Sequence, residues 1–275
     1  MPHDDEREVF RRHGAEGVLL LGGGAAILLQ LADPRVARGV ARHSGFRDRP
    51  LDRLLGTLDY VYAVGFGDDD VIAAAVRSVN ARHAPVRGAA GDGQSAYNAF
   101  DPDAQRWVAS TLLWVALRLH ERLWGPIDVA TADAVVRGYA PLGFHLQAGR
   151  AGWPATRAEF EAWWAERLAG LDVGADARSV ARTLLSGASA LPFGAIALLP
   201  LVRLVTAALL PPDLRRAFGF RWTPRAERVA DAWLAGIAAV WPLLPRVVRH
   251  APMHVSLRRV RRRSRYAELE PRGRR

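Results

Sequence analysis

Helical periodicity runs through almost the whole chain and is the strongest constraint on its fold. We find no alternation of polar and apolar residues long enough to predict a sheet. Prolines and capping residues divide the pattern into segments of ordinary helix length. The predicted helices cover about 17–32, 34–43, 50–64, 68–83, 102–123, 129–142, 156–171, 176–185, 190–210, 212–218 and 224–240. The sequence therefore predicts an all-α protein.

One large helical domain with two short ends accounts for the chain. Half of the 275 residues are hydrophobic, which is enough for a single domain over 15–256. We predict a flexible N-terminus over 1–14 and a basic, disordered tail over 257–275. The tail holds nine Arg and two Glu, so it carries +7 of the net charge of +10. The other residues carry only +3, so no specific nucleic-acid partner is expected for the domain.

The residue types that are missing exclude several kinds of chemistry. The chain has no cysteine, which excludes disulfides, thiolate-ligated haem, iron–sulfur clusters on cysteine and a cysteine nucleophile. All 38 basic residues are arginine, so Schiff-base chemistry and a phosphate-loop lysine are also excluded. The histidines form no metal-binding motif of fixed spacing.

Two apolar runs, 17–32 and 188–212, are predicted as buried core helices. The first is shorter than the ~20 residues that span a bilayer, and Pro192, Pro200 and Arg203 interrupt the second. The first residues lack a secretory pattern, so we predict a cytoplasmic protein. Peripheral membrane contact through the Arg-rich tail is left open, because arginines attract anionic lipid, although a solvated end is favoured.

His83 stands on the apolar face of its predicted helix. Four residues share one stripe at spacings of four, three and four: Ile72, Val76, Val79 and His83. Such a histidine can bond a backbone carbonyl in the core, sit as a cation near the helix end, or ligate a metal as neutral imidazole. The pattern alone favours the structural roles.

Arg53 and Thr57 lie one turn apart on a single helix face. A buried guanidinium needs an anion, which a haem propionate or an acidic side chain would provide. Pairing of Arg53 with Asp52 or Asp59 is the structural alternative, and it is favoured from the pattern alone.

Three further positions have mainly structural interpretations. His43 ends a helix before Gly45, and a cap and turn explain it, although we also count it as a candidate cofactor-binding residue. Asp33 precedes Pro34 and is predicted to cap the next helix. The glycines at 22–24 are predicted to permit close helix packing.

Together these segments resemble a known family. The matching pieces are LLLGGGAAILLQLADPRVARGVARHSGFR, PLDRLLGTLDYVYAVGFG, HAPVRG, AYNAFDPDAQRWVASTLLW and LVTAALLPPDLRRAFGFRWT. In this order and approximate spacing, over roughly 15–250, they resemble the DUF2236 family of MpaB-like oxygenases and latex-clearing rubber oxygenases. The combination is specific, although each piece alone is weak.

The resemblance implies a helical fold with a globin-like core that holds haem b. The family's axial histidine falls on His83, which would be the iron ligand. Arg53 and Thr57 match the ends of the rubber enzymes' Arg-x-x-Lys-Thr motif. They would line the distal side of the haem as catalytic residues and polarise oxygen. His43, Arg53 and Thr57 would join His83 in binding the cofactor.

The chain departs from the family pattern at three positions. Gly56 stands where the rubber enzymes have lysine, which implies an open or water-bound distal site. Asp33 and Ala109 stand where many relatives have histidine. The proposed catalytic acid of the rubber enzymes has no clear counterpart. These differences are compatible with haem and argue against rubber cleavage.

Three functions are compatible with the sequence. The favoured one is a haem-dependent oxygenase, an oxidoreductase that uses O2 on a hydrophobic, unsaturated or isoprenoid-like substrate. The second is a non-catalytic helical protein that binds a lipid-like ligand or a membrane surface. The third is nucleic-acid binding through the Arg-rich tail, which predicts a steep salt dependence.

Overall fold

The computed structural model of the chain describes residues 4–43, 50–91, 95–186 and 199–269. We number its α-helices in chain order. They are α1 Asp4–Gly14, α2 Gly23–Leu31, α3 Pro34–His43, α4 Pro50–Phe66, α5 Asp69–His83, α6 Pro102–Trp124, α7 Val129–Tyr139, α8 Pro141–Phe144, α9 Arg157–Ala169 and α10 Ala175–Ser186. The remainder are α11 Leu199–Leu209, α12 Pro212–Ala217, α13 Pro224–Val240, α14 Arg246–Arg249 and α15 Ala251–Leu269.

The all-α class is confirmed. The only paired strands in the described ranges are β1, Arg87–Gly88, and β2, Tyr97–Asn98, which form a two-residue antiparallel ribbon. The helix predicted at about 17–32 is divided into a 3-10 helix, Gly17–Gly22, and α2. The first part of the helix predicted at 190–210 lies outside the described residues. The globin-like core remains a prediction.

Local capping explains where the long helices begin. The side chains of Asp68 and Asp101 accept hydrogen bonds from backbone N–H groups in the first turns of α5 and α6. At the start of α9, Thr156 accepts from the Glu159 N–H, and the Glu159 carboxylate accepts from the Ala155 N–H at 2.8 Å. This last pattern is close to the capping box that the sequence predicts.

The core is built around α6, whose side chains Trp107, Leu113 and Leu119 are fully buried. Trp164 of α9 stacks between two tryptophans of α6, with ring centroids 4.8 Å from Trp107 and 4.6 Å from Trp114. The indole N–H of Trp107 donates to the Leu29 carbonyl at 3.1 Å, which ties α6 to α2. Stacked, buried aromatics of this size make a large share of a core's apolar burial.

Two of the consecutive glycines permit close packing, as predicted. A Cβ at Gly22 would lie 2.2 Å from Cγ1 of Val115 on α6. A Cβ at Gly24 would lie 2.1 Å from Oγ1 of Thr206 on α11. Real Cβ atoms do not approach other atoms so closely, so glycine lets α2 approach both neighbours.

Both chain ends differ from their predictions. The N-terminus, expected to be flexible, forms α1, and Phe10 is buried against Tyr139 with ring centroids 4.9 Å apart. The tail, expected to be disordered from residue 257, is helical to Leu269 as part of α15, while residues 270–275 lie outside the described ranges. Met253, Leu257 and Val260 are buried, so an apolar stripe holds α15 to the domain despite its charge.

Within the described ranges, no single helix is long and apolar enough to cross a membrane. One pair of segments, Arg7–Gly14 and Gly17–Leu31, passes that test of length and composition together, with a bend of 75° between them.

Candidate active site

A cavity of about 490 Å³ lies between α3, α4, α5, α6 and the residues of the β-ribbon. All four residues predicted to bind a cofactor line it, although they come from three different helices: His43, Arg53, Thr57 and His83. Such a volume falls in the range of small-molecule and cofactor sites. The fold therefore assembles the candidate residues around one space large enough for a ligand.

His83 ends α5 and faces this cavity as a neutral imidazole. Burial, followed by the charges of Arg53 and Arg82, lowers the pKa of His83 to about 4. Its Nδ1 atom is buried and has no hydrogen-bond partner among the described residues. A ring of Phe100 packs edge-on against it, with centroids 6.3 Å apart. The side chain therefore presents a lone pair at neutral pH, which is the form that binds metals.

Arg53 and Thr57 lie on α4, one turn apart on the cavity wall. Arg53 is exposed and lines the cavity, and desolvation of its guanidinium, followed by the charge of Arg82, lowers the pKa of that group. The Thr57 hydroxyl donates to the Arg53 carbonyl at 3.1 Å. Because its proton is used in this way, Thr57 presents its oxygen lone pairs as acceptors.

Arg82 is a cavity residue that sequence reasoning did not select. Its guanidinium lies over Gly56, where a Cβ would be only 2.0 Å from Nη1. It donates to the backbone carbonyl and the hydroxyl of Ser78, both at 3.1 Å, and makes no ion pair within the described ranges. In the sequence, only its position next to His83 could have indicated that Arg82 lines the cavity.

Most other polar groups on the wall are already bonded to protein. The Tyr60 hydroxyl donates to the Leu142 carbonyl at 2.6 Å. The Gln105 side chain is satisfied at both ends, by the Ala99 carbonyl at 2.8 Å and by the backbone and side chain of Gln147. The remaining wall is largely apolar, including Val36, Val40, Val79, Val86, Val108, Ala109, Leu112 and Leu146. A ligand would meet a few polar groups in an apolar chamber.

Asp33 caps α3, as predicted, and also holds a cavity arginine. Its carboxylate accepts from the Arg35 N–H at 2.8 Å and from the guanidinium of Arg35 at 2.9 Å. Arg167 of α9 donates to the same carboxylate at 2.6 Å, and Arg35 also reaches Asp101 at 3.0 Å. Burial alone would raise the pKa of Asp33, but bonds from Arg35 and the charge of Arg167 lower it overall.

His43 is the last residue of α3 and lines the same cavity as His83. Its Nδ1 is 3.4 Å from the hydroxyl of Tyr97, and the two rings pack edge-on with centroids 5.6 Å apart. Tyr97 itself is buried and was not selected from the sequence. His43 is exposed, so its geometry is compatible with either a cap or a ligand contact.

No group of three or more histidine and carboxylate side chains among the described residues could enclose a metal ion.

Comparison with known proteins agrees with this arrangement. Residues 10–240 match the model of the family described as ER-bound oxygenase mpaB/B'/Rubber oxygenase, catalytic domain. The chain belongs to this family. An uncharacterized protein of Mycobacterium bovis and one of Mycobacterium tuberculosis are each 33% identical to it over 218 residues, covering 78% of this chain and 84% of the relative. No solved structure matches it significantly.

Membership of the mpaB/rubber oxygenase family supports an oxygenase-type enzyme, which acts with O2 on a small molecule. The family match ends at residue 240, so α14 and α15 lie beyond it. All the candidate site residues fall inside the matched range.

Proposed function

We propose that this protein is a haem b-dependent oxygenase that holds its cofactor through His83 and oxidises a hydrophobic, unsaturated substrate. The observation that carries the proposal is the neutral His83 ring, with its unpartnered buried Nδ1, on the wall of the large cavity. Oxygenase family membership supports the same reaction class.

The residues present fit a haem. A neutral imidazole supplies an axial ligand, the apolar wall suits a porphyrin ring, and the guanidiniums of Arg53 and Arg82 suit its carboxylates. The buried Nδ1 of His83 has no hydrogen-bond partner among the described residues, which leaves this ring nitrogen available to a bound group.

Bound haem would supply redox chemistry with O2, which no side chain in the chain can perform. The protein's own residues have separate tasks. His83 stays neutral at physiological pH because burial and two arginines disfavour its protonation. Arg53 places a positive charge on the cavity wall, where it would stabilise negative charge on a bound group. The Thr57 hydroxyl donates to the Arg53 carbonyl, which leaves its oxygen lone pairs to accept a hydrogen bond from a bound group on the same wall.

The substrate is proposed to be apolar over most of its length. The cavity wall offers valine, leucine and alanine side chains, while Tyr60 and Gln105 are occupied by protein partners. A strongly polar substrate would therefore lose its hydration without gaining enough hydrogen bonds. An isoprenoid-like or otherwise unsaturated hydrocarbon has no hydrogen bonds to water to lose when it enters the cavity.

The test is haem loading of purified protein, followed by visible absorption and iron analysis. We expect a Soret band with haem and iron equimolar to the chain, and loss of both in His83→Ala. The matched control is His254→Ala, because His254 is exposed and does not line the cavity.

Two results would overturn the assignment. One is wild-type protein that takes up neither haem nor iron. The other is His83→Ala protein that binds haem as well as the His254→Ala control. In haem-loaded protein, O2 uptake that depends on an added alkene, and that falls in Arg53→Gln, would support the oxygenase step.

A further inference from the structure

From Ala232 to its end, α13 exposes apolar side chains to solvent, although its inward face already packs on the core. Ala230 and Leu234 face the core, with exposures of 0% and 1%. On the other side, Val229, Trp233 and Val240 are 41%, 52% and 57% exposed. A helix at a protein surface normally turns charged or polar residues to water, so an apolar outward face indicates a further partner.

This face continues past the end of α13. Leu243 is 80% exposed, and Val247 and Val248 on α14 are 70% and 50% exposed. From Ala232 to Pro245 the chain carries no charged residue. We call this surface the apolar face and define it by its exposed members: Val229, Trp233, Val240, Leu243, Val247 and Val248. Contiguous exposed patches of this kind mark binding surfaces.

Positive charge surrounds the apolar face in the sequence. Residues 221–265 contain eleven arginines and two acidic residues, and four of the arginines form ion pairs with carboxylates elsewhere in the fold: Arg249, Arg259, Arg261 and Arg263. Both acids, Glu227 and Asp231, are paired with Arg122 of α6, at 2.8 and 2.7 Å. Arg228 and Arg246, in contrast, are exposed and adjoin members of the apolar face. The partner must therefore offer both an apolar phase and negative charge.

We propose that the apolar face docks onto the surface of an anionic lipid bilayer. Trp233 and the aliphatic side chains would enter the interface, while Arg228 and Arg246 would contact lipid phosphates. Stable attachment to a membrane generally needs two such signals, apolar insertion and basic attraction, and this surface carries both. Docking here differs from the predicted contact through the tail, because it uses α13 and α14 rather than residues after 257.

The experiment measures sedimentation of the full chain with vesicles of phosphatidylcholine alone or phosphatidylcholine with phosphatidylglycerol. We expect binding to the anionic vesicles and about tenfold or greater loss of affinity in the double variant Trp233→Ser, Leu243→Ser. Arg246→Glu should weaken binding about fivefold and flatten its dependence on salt.

Val129→Ser is the matched control, because Val129 is 76% exposed but lies on α7 and is not a member of the apolar face. It should bind like wild type, and circular dichroism should show all variants folded. The proposal would be overturned if the double variant bound anionic vesicles as tightly as wild type. It would also be overturned if the wild-type protein did not bind anionic vesicles. Vesicle-free dimers that the double substitution dissociates would instead assign the face to a second copy of this chain.

Discussion

The guanidinium of Arg82 occupies the space directly above Gly56, and a Cβ at residue 56 would lie 2.0 Å from its Nη1 atom. Arg82 lies in the last turn of α5, and Gly56 lies near the middle of α4. The contact therefore joins two of the helices that carry the candidate site. The absence of a side chain at 56 thus allows a second cation to stand beside Arg53 and His83.

Removing the Arg82 charge should make His83 easier to protonate. Burial is the largest cause of the low pKa of His83, followed by Arg53 and then Arg82. In haem-free Arg82→Gln protein we expect the pKa of His83 to rise above about 4 but to stay below its ordinary value of 6.5. NMR titration of the ring measures this. Arg77→Gln, an exposed arginine on the same helix, should leave the pKa unchanged.

Local sequence signals were sufficient for the helices but not for the site's second arginine. Caps such as Asp68 and Thr156 act within one turn, so their helices could be predicted from neighbouring residues. The position of the Arg82 guanidinium depends on how α5 packs against α4, and no pattern of neighbouring residues predicts that packing. The same limit applies to Tyr97, which reaches the cavity from the β-ribbon.

The helix at the C-terminal end was not predicted from the sequence, because its many arginines hide a short apolar stripe. Residues 257–265 are rich in arginine, yet Leu257 and Val260 lie on one side of α15 and are buried. Asp59 of α4 receives the ion pairs of Arg259 and Arg263. A basic segment can therefore fold when its own apolar stripe is buried and its arginines pair with a buried carboxylate.

For the site, the sequence identified His43, Arg53, Thr57 and His83 as candidates. That they line one cavity could be seen only from the tertiary fold.

Gly24→Ala should destabilise the protein, whereas Gly23→Ala should not. A Cβ at Gly24 would lie 2.1 Å from Oγ1 and 3.3 Å from Cβ of Thr206, which is fully buried. Overpacking of this kind costs about 1–3 kcal/mol in the free energy of unfolding. At Gly23 the nearest atom is 3.9 Å away, and alanine favours a helix by up to ~1 kcal/mol. Urea unfolding compares the two, and equal stabilities would contradict the close packing of α2 on α11.

The stability of the fold should fall in acid as Asp33 becomes protonated. The pKa of Asp33 is lowered in the folded protein, so its contribution is complete above the unfolded value of about 3.9 and is lost as the pH falls through the folded value. Asp33→Asn should cost about 3 kcal/mol at neutral pH, since it leaves Arg35 and Arg167 without their buried carboxylate.

The unfolding free energies of wild type and Asp33→Asn should therefore converge as the pH is lowered below about 4. Asp172→Asn serves as control, because Asp172 is exposed and makes no ion pair in the part of the chain that the structure describes. A difference between wild type and Asp33→Asn that stays constant with pH would show that the carboxylate charge is not what stabilises this junction.

Arg259→Met should weaken the attachment of α15, whereas Arg258→Met should not. Arg259 donates to the buried carboxylate of Asp59 at 3.1 Å, and burial raises the pKa of that carboxyl against the opposing charges of Arg259 and Arg263. Losing one of its two cations should cost about 1–3 kcal/mol, less than complete loss of a buried pair because Arg263 remains at 3.2 Å. Arg258 is exposed, so its substitution should change stability by less than about 0.5 kcal/mol. Denaturant unfolding gives both values, and hydrogen exchange within α15 locates the loss: protection that falls equally in the two variants would show that the Asp59 ion pair does not hold the helix.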